Sequence, residues 1–154
     1  MKRIAAALLL AVTATGAHAA EPDKAVGRAL DKLDYTYEVD EDGDYKMVFD
    51  MDDGRSQLAF VRSTVEEFGK HTIREIWSPA YNAPGKQFPA AVANRLLEDS
   101  QDAKMGGWVK QDQLAMFVVK VDANATPEAL SDAIDAAVRT ADAMELELTE
   151  QDEY

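Results

Sequence analysis

The chain has 154 residues, 47% hydrophobic and 29% charged, with 16 Lys and Arg against 29 Asp and Glu. That length makes one domain around a single core, and that apolar share excludes wholesale disorder. A formal charge of −13 argues against a nucleic-acid or anionic-membrane partner, which clustered Lys and Arg would have to meet, and the absence of cysteine excludes disulfides, thiolate nucleophiles and thiolate metal sites.

Lys2 and Arg3 make a short positive start. An uncharged apolar run follows from Ile4 to Val12, and Ala17-His18-Ala19 supplies small residues around a cleavage point. These are the three regions of a secretory signal peptide. The run is too short to cross a bilayer, which takes about 20 residues. A buried N-terminal helix is the competing reading, but it does not account for the order of the regions. Cleavage after Ala19 predicts a chain from Ala20 with 14 Lys and Arg against 29 Asp and Glu, a charge of −15, and His71 as its one histidine. Export without cysteine points to a bacterial envelope, because small eukaryotic secreted domains are often stapled by disulfides. No cysteine follows the cleavage point to carry a lipid anchor, so the expected location is periplasmic or secreted.

From there, residues 20–154 read as one domain. Pro22 to Leu33 predicts a short helix, with Val26, Leu30 and Leu33 on one face. Tyr35 to Val39 alternates like a strand, with Tyr35, Tyr37 and Val39 on one side. Asp40 to Asp44 is an acidic turn whose Gly43 is free to take positive φ. Tyr45, Met47, Phe49 and Met51 alternate through a second strand, and Asp52-Asp53-Gly54 is a hairpin turn. Gln57 to Arg62 gives a third strand around Leu58 and Phe60. Ser63 to Lys70 reads as a loop or wide turn. His71 to Ser78 reads as a fourth strand, ended by Pro79. Tyr81 to Gln87 is a loop.

Pro89 to Asp99 predicts a second helix, buried through Val92, Leu96 and Leu97. Met105 to Lys110 is a strand with a bulge at Gly106-Gly107. Leu114 to Val121 is the most apolar strand. Thr126 caps the last helix and Pro127 opens it, and Leu130, Ile134, Val138, Ala141, Met144 and Leu148 trace its stripe. Glu150 to Tyr154 reads as a frayed acidic tail. The order is helix, four strands, helix, two strands, helix. Short turns make the strand pairs mostly antiparallel. The fold class is therefore α+β, a two-layer sandwich with the helices on one face of the sheet.

A short helix leading into Leu33-Asp34-Tyr35-Thr36-Tyr37-Glu38, then Asp42-Gly43-Asp44-Tyr45, is one half of a familiar pattern. The other half is Leu96-Leu97-Glu98-Asp99, Lys104-Met105-Gly106-Gly107-Trp108, the Leu114–Val121 strand and the final helix. In order, spacing and aromatic positions, roughly residues 24–148 resemble the YbjN-like family of bacterial proteins. That family is similar in fold to the chaperones of type III secretion and carries the label of putative sensory transduction regulator. The resemblance implies the same α+β fold and brings no catalytic residue with it. Cytosolic members are common, so the export signal departs from the family, and a type III chaperone role would need the cytosol.

The chain offers little reactive chemistry. Asp40 to Asp44, with Asp50, Asp52 and Asp53, presents oxygen ligands of the kind Ca²⁺ prefers. EF-hand spacing fails there: Tyr45 stands where the glycine belongs and Met51 where the glutamate belongs. The simpler reading is two solvated acidic turns, with weak divalent-ion buffering as a third functional reading. His71 has no nucleophile to activate and reads as a surface strand residue. One histidine with no cysteine does not make a zinc site. Gly106-Gly107 lacks the Lys-Ser/Thr of a phosphate loop. No metal and no cofactor are expected.

Tyr45, Met47, Phe49 and Met51 read as core packing more readily than as an adaptable binding stripe. Leu114 to Val119 is apolar on both faces, whereas a strand wetted on one side should alternate. Helices on one face of a sheet leave its second face to another cover: a loop, a second copy in a homodimer, or a client protein or peptide; the competing reading is a self-contained core with small Ala115 outward. Phe117 sits in that strand, and Trp77, Tyr81 and Trp108 fit such a surface, since aromatics favour interfaces. The leading expectation is a non-enzymatic periplasmic protein- or peptide-binding module, binding through Trp77, Tyr81, Trp108 and Phe117, its acidic exterior selecting basic partners. The alternative is a small periplasmic hydrolase, or an enzyme inhibitor, acting through a carboxylate site that sequence alone does not locate.

Overall fold

The computed structural model describes residues 21–154; the leader and cleavage point expected over residues 1–19 lie outside them. Helix α1 spans Lys24–Lys32, and strands β1 (Glu38–Val39), β2 (Tyr45–Asp50), β3 (Ser56–Phe68) and β4 (His71–Asn82) follow. Helix α2 (Ala90–Asp102), strands β5 (Gly107–Gln111) and β6 (Leu114–Asp122) and helix α3 (Pro127–Thr149) complete the order. The strands form one antiparallel sheet ordered β1-β2-β3-β4-β6-β5. The fold is the α+β sandwich expected from the sequence.

Each helix turns its apolar stripe to the same set of strand positions. Val26 and Leu30 of α1, Leu96 of α2, and Ile134, Val138 and Ala141 of α3 share one core with Met47, Val61, Ile76, Phe117 and Val119. Helix α3 is the main cover and lies across β3, β4 and β6. Thr126 caps it by accepting from the Ala129 amide, and Pro127 takes its first turn. Full burial of a side chain such as Phe117 contributes about 2–3 kcal/mol.

Several expected boundaries move. Only Glu38 and Val39 of the first strand join the ladder. Tyr35 and Tyr37 turn into the helical layer instead: Tyr35 meets Phe49 edge-on at 5.7 Å and shares a hydrogen bond with Ser131 Oγ at 2.8 Å. Tyr37 donates to Asp31 at 2.9 Å. Their alternation reflects packing rather than sheet pairing. The loop expected over Ser63–Lys70 is strand as far as Phe68, closed by a two-residue turn in which Gly69 takes φ 62°. Residues 64–71 are exposed, so backbone pairing holds this hairpin where no apolar pattern marks it. Pro79 does not end β4. The register shifts between Pro79 and Tyr81, and a bulge tolerates the missing N–H. Tyr81 therefore belongs to β4 rather than to a loop. Gly106 is a positive-φ turn residue ahead of β5 rather than a bulge, and the β5–β6 register runs unbroken from Gly107.

The tail expected to fray is tied down. Arg55 Nη1 donates to the Gln151 carbonyl at 2.6 Å, Asp152 Oδ1 accepts from the Ser56 amide at 3.0 Å, and Glu145 Oε1 accepts from the Glu153 amide at 2.7 Å. Burial, with the Glu153 and Glu145 carboxylates nearby, pushes the Tyr154 phenol up to about 12.

Candidate functional site

Strand positions that alternate with the core form the other face of the sheet. They include Val48, Leu58 and Phe60, then Trp77 and Pro79, then Leu114, Met116 and Val118. Charged residues share this face, among them Lys46, Asp50, Arg62, Glu75, Lys120 and Asp122. The two-faced apolar character of Leu114–Val119 is thus real: Ala115, Phe117 and Val119 meet the helices, and Leu114, Met116 and Val118 point away from them.

Met116 and Val118 are nevertheless only 5% and 4% exposed. Sheet twist brings diagonal corners toward each other on one face. Here the Asp40–Asp44 turn beside β2 and the Gln111-Asp112 turn before β6 come from opposite edges and line one cleft of about 260 Å³. Its apolar walls are Phe60, Trp77, Leu114 and Met116. Asp40, Asp42, Asp44 and Asp112 also line it, against a single cation, Arg62.

The acidic corner is tied by its own hydrogen bonds. Asp40 Oδ1 accepts from the amides of Asp42 at 3.0 Å and Asp44 at 2.9 Å, and Gly43 takes φ 79° between them. Asp44 is 3% exposed, and its Oδ1 accepts from the Ser63 amide at 2.7 Å. Burial pushes the Asp44 carboxyl above the ordinary carboxylate range, although the Ser63 amide and Arg62 pull it down. The Arg62 guanidinium lies 4.3 Å from the Trp77 ring centroid. Its buried Nε approaches Asp44 Oδ2 at 2.5 Å, off the line of a hydrogen bond. Trp77 Nε1 donates to Glu75 Oε2 at 2.8 Å, and Lys120 Nζ pairs with Glu75 Oε1 at 2.8 Å. Burial of Glu75 opposes its ionisation, but the bonds from Lys120 and Trp77 outweigh it and hold the carboxyl below its usual range.

The four aromatics expected on one binding surface are divided. Trp77 is half-buried in the cleft. Phe117 is fully buried on the helical face, where Trp108 meets it edge-on at 5.2 Å and donates Nε1 to Asp99 Oδ2 at 2.8 Å. Tyr81 packs edge-on against Phe88 at 5.9 Å on the same covered side. Trp108, Tyr81 and Phe117 are therefore structural partners of the helices, set there by strand register. Phe60, Arg62 and Asp44 were missed as site residues. The i, i+2 spacing of Phe60 and Arg62 puts them on one face, but only the Phe60–Trp77 pairing shows which face it is.

His71 is exposed at the foot of the β3–β4 hairpin. Among the described residues, no group of three or more His, Asp or Glu side chains is arranged to hold a metal ion, and no helix is long and apolar enough to cross a membrane. No protein-family model matches the chain, and no curated protein matches it.

Proposed function

We propose that the protein is an exported, non-enzymatic binding module that holds a protein or peptide segment in the cleft on the uncovered face of its sheet. The observation that carries this reading is the cleft floor. Half-buried Phe60, Trp77 and Leu114 surround the buried Met116 and form an apolar floor on the face away from α1, α2 and α3, under a rim of charge. Apolar centres with polar rims are the usual anatomy of recognition surfaces. The segment from Lys2 to Ala19 supports export to the periplasm or beyond. The resemblance to the YbjN-like family brings no catalytic residue with it, which is in keeping with a role in binding.

Tryptophan fluorescence tests the reading directly, because Trp77 and Trp108 are the two tryptophans. In a Trp108→Phe background Trp77 reports alone on the cleft. Titration with arrays of extended peptides should shift its emission, and Trp77→Ala should abolish binding while the fold persists. A folded protein that binds none of them, or whose bound peptide leaves Trp77 unchanged, removes the basis of the proposal.

A further inference from the structure

Resting on that reading, we infer that the ligand is an extended basic–apolar peptide segment, whose apolar side chain sits on Phe60 and Leu114 and whose flanking lysine or arginine takes the place Arg62 now holds. The charge of the cleft carries this choice. Four aspartates, Asp40, Asp42, Asp44 and Asp112, line it against Arg62 alone. Asp44 already faces that arginine, and Asp40 is engaged in holding its own turn. Asp42 and Asp112 form no ion pair among the described residues, and they stand on turns from opposite edges of the sheet. A neutral or acidic ligand would leave this field uncompensated, whereas a cation flanking an apolar anchor meets both rim and floor.

Arg62 shows where the cation goes. Its guanidinium occupies the face of Trp77, the preferred aromatic surface for a cation. Its buried Nε faces Asp44 Oδ2 without an aligned hydrogen bond. A ligand cation placed between Trp77 and Asp44 reproduces both contacts and releases Arg62 to water, where its head is readily solvated. The cleft is open to solvent along its rim, which suits a chain passing through it better than a small molecule enclosed on all sides.

The test uses three end-capped eight-residue peptides: alternating lysine and leucine, the same with glutamine for lysine, and the same with glutamate for lysine. At low ionic strength the lysine peptide should bind about tenfold tighter than the glutamine peptide, and the glutamate peptide should not bind. Added salt should erase most of that margin. Asp42→Asn with Asp112→Asn should weaken lysine-peptide binding by roughly threefold or more, and both positions are exposed, so the fold should persist. Arg62→Gln should tighten it. Spermidine, which has the charge without the apolar anchor, should bind far more weakly than the lysine peptide. Equal binding of the glutamine peptide, equal binding of spermidine, or loss of affinity in a folded Arg62→Gln protein overturns this inference while leaving the binding module standing. Failure of all three peptides to bind sinks the module itself.

Discussion

Arg74 Nη2 stands 2.5 Å from Asp23 Oδ2, joining the centre of the sheet to the start of α1. Arg74 is 3% exposed, and its Nη1 also donates to the carbonyls of Arg62 at 2.6 Å and Ser63 at 3.1 Å, where β3 bulges against β4. The other oxygen of Asp23 caps α1 through the Ala25 amide at 2.8 Å. Thus one buried cation holds a bulge, a helix cap and the strand that carries Arg62. Arg74→Leu strands the two carbonyls and one carboxylate, and should cost about 3 kcal/mol or more. Asp23→Asn keeps the cap and should cost less. Urea unfolding checks the order, and an Arg74→Leu midpoint equal to wild type would remove Arg74 from this role.

The two tryptophans should separate binding from stability. Trp108→Ala and Phe117→Ala empty a shared core contact and should each cost about 3–5 kcal/mol. Phe117→Asp buries a carboxylate beneath α3 and should not fold. Trp77→Ala removes a half-buried ring from the cleft and should cost about 1 kcal/mol. Thermal unfolding of the four single variants decides this. A Phe117→Asp protein that melted like wild type would put Phe117 on the uncovered face after all.

How far the sequence could be read follows from the same residues. The 3.6-residue stripe of α3 and the Thr126-Pro127 start are local signals, and both appear in the structure as expected. The two apolar faces of Leu114–Val119 were also legible. Which of those faces meets the helices was not, because a strand apolar on both sides carries no parity. That choice is made by register, Phe117 opposite Ser78 and Met116 opposite Pro79. The cleft was hidden for a related reason. Phe60, Trp77 and Met116 come from three strands and meet only through pairing, and the Asp40–Asp44 and Gln111-Asp112 turns reach them only through sheet twist. Nothing in the sequence marks Arg74, Arg55 or Glu145 as buried, because burial of a charge depends on partners distant in the chain.

Gly106 should be harder to replace than Gly54. It takes φ 78°, and an added Cβ would stand 2.4 Å from the Val118 carbonyl oxygen, a backbone atom in the middle of β6. Gly54 takes φ 75° with nothing within 4 Å of the same position. Gly54→Ala should therefore cost only the conformational penalty, about 1 kcal/mol, and Gly106→Ala at least about 2 kcal/mol more. Equal midpoints for the two alanine variants would show that β6 yields freely at Val118.

Glu145 should give the protein a measurable pH signature. It is fully buried on α3, where Oε2 lies 3.1 Å from Arg55 Nη2 and Oε1 accepts from the Glu153 amide at 2.7 Å. Burial pushes the Glu145 carboxyl above its ordinary value, although the Glu153 amide and Arg55 pull the other way. A carboxyl whose folded pKa is raised binds its proton more tightly in the folded state. Its share of the stability is therefore lost as pH rises from the unfolded pKa through the folded one, and regained on acidification. Asp23 has the opposite sign: burial opposes its ionisation, but the Ala25 amide and Arg74 outweigh it and lower the pKa, so its share is lost at low pH. Total stability mixes the two, and the difference between wild type and Glu145→Gln isolates the first. That difference should move in favour of wild type as pH falls from 7 toward the ordinary glutamate range. Removal of Gln151–Tyr154 should enlarge the neutral-pH cost of Glu145 unless water reaches the exposed carboxylate, in which case its pKa returns toward normal and the pH dependence flattens. Denaturant midpoints for the three proteins at neutral and mildly acidic pH distinguish these cases. A wild-type advantage that shrank on acidification would contradict a raised Glu145 pKa.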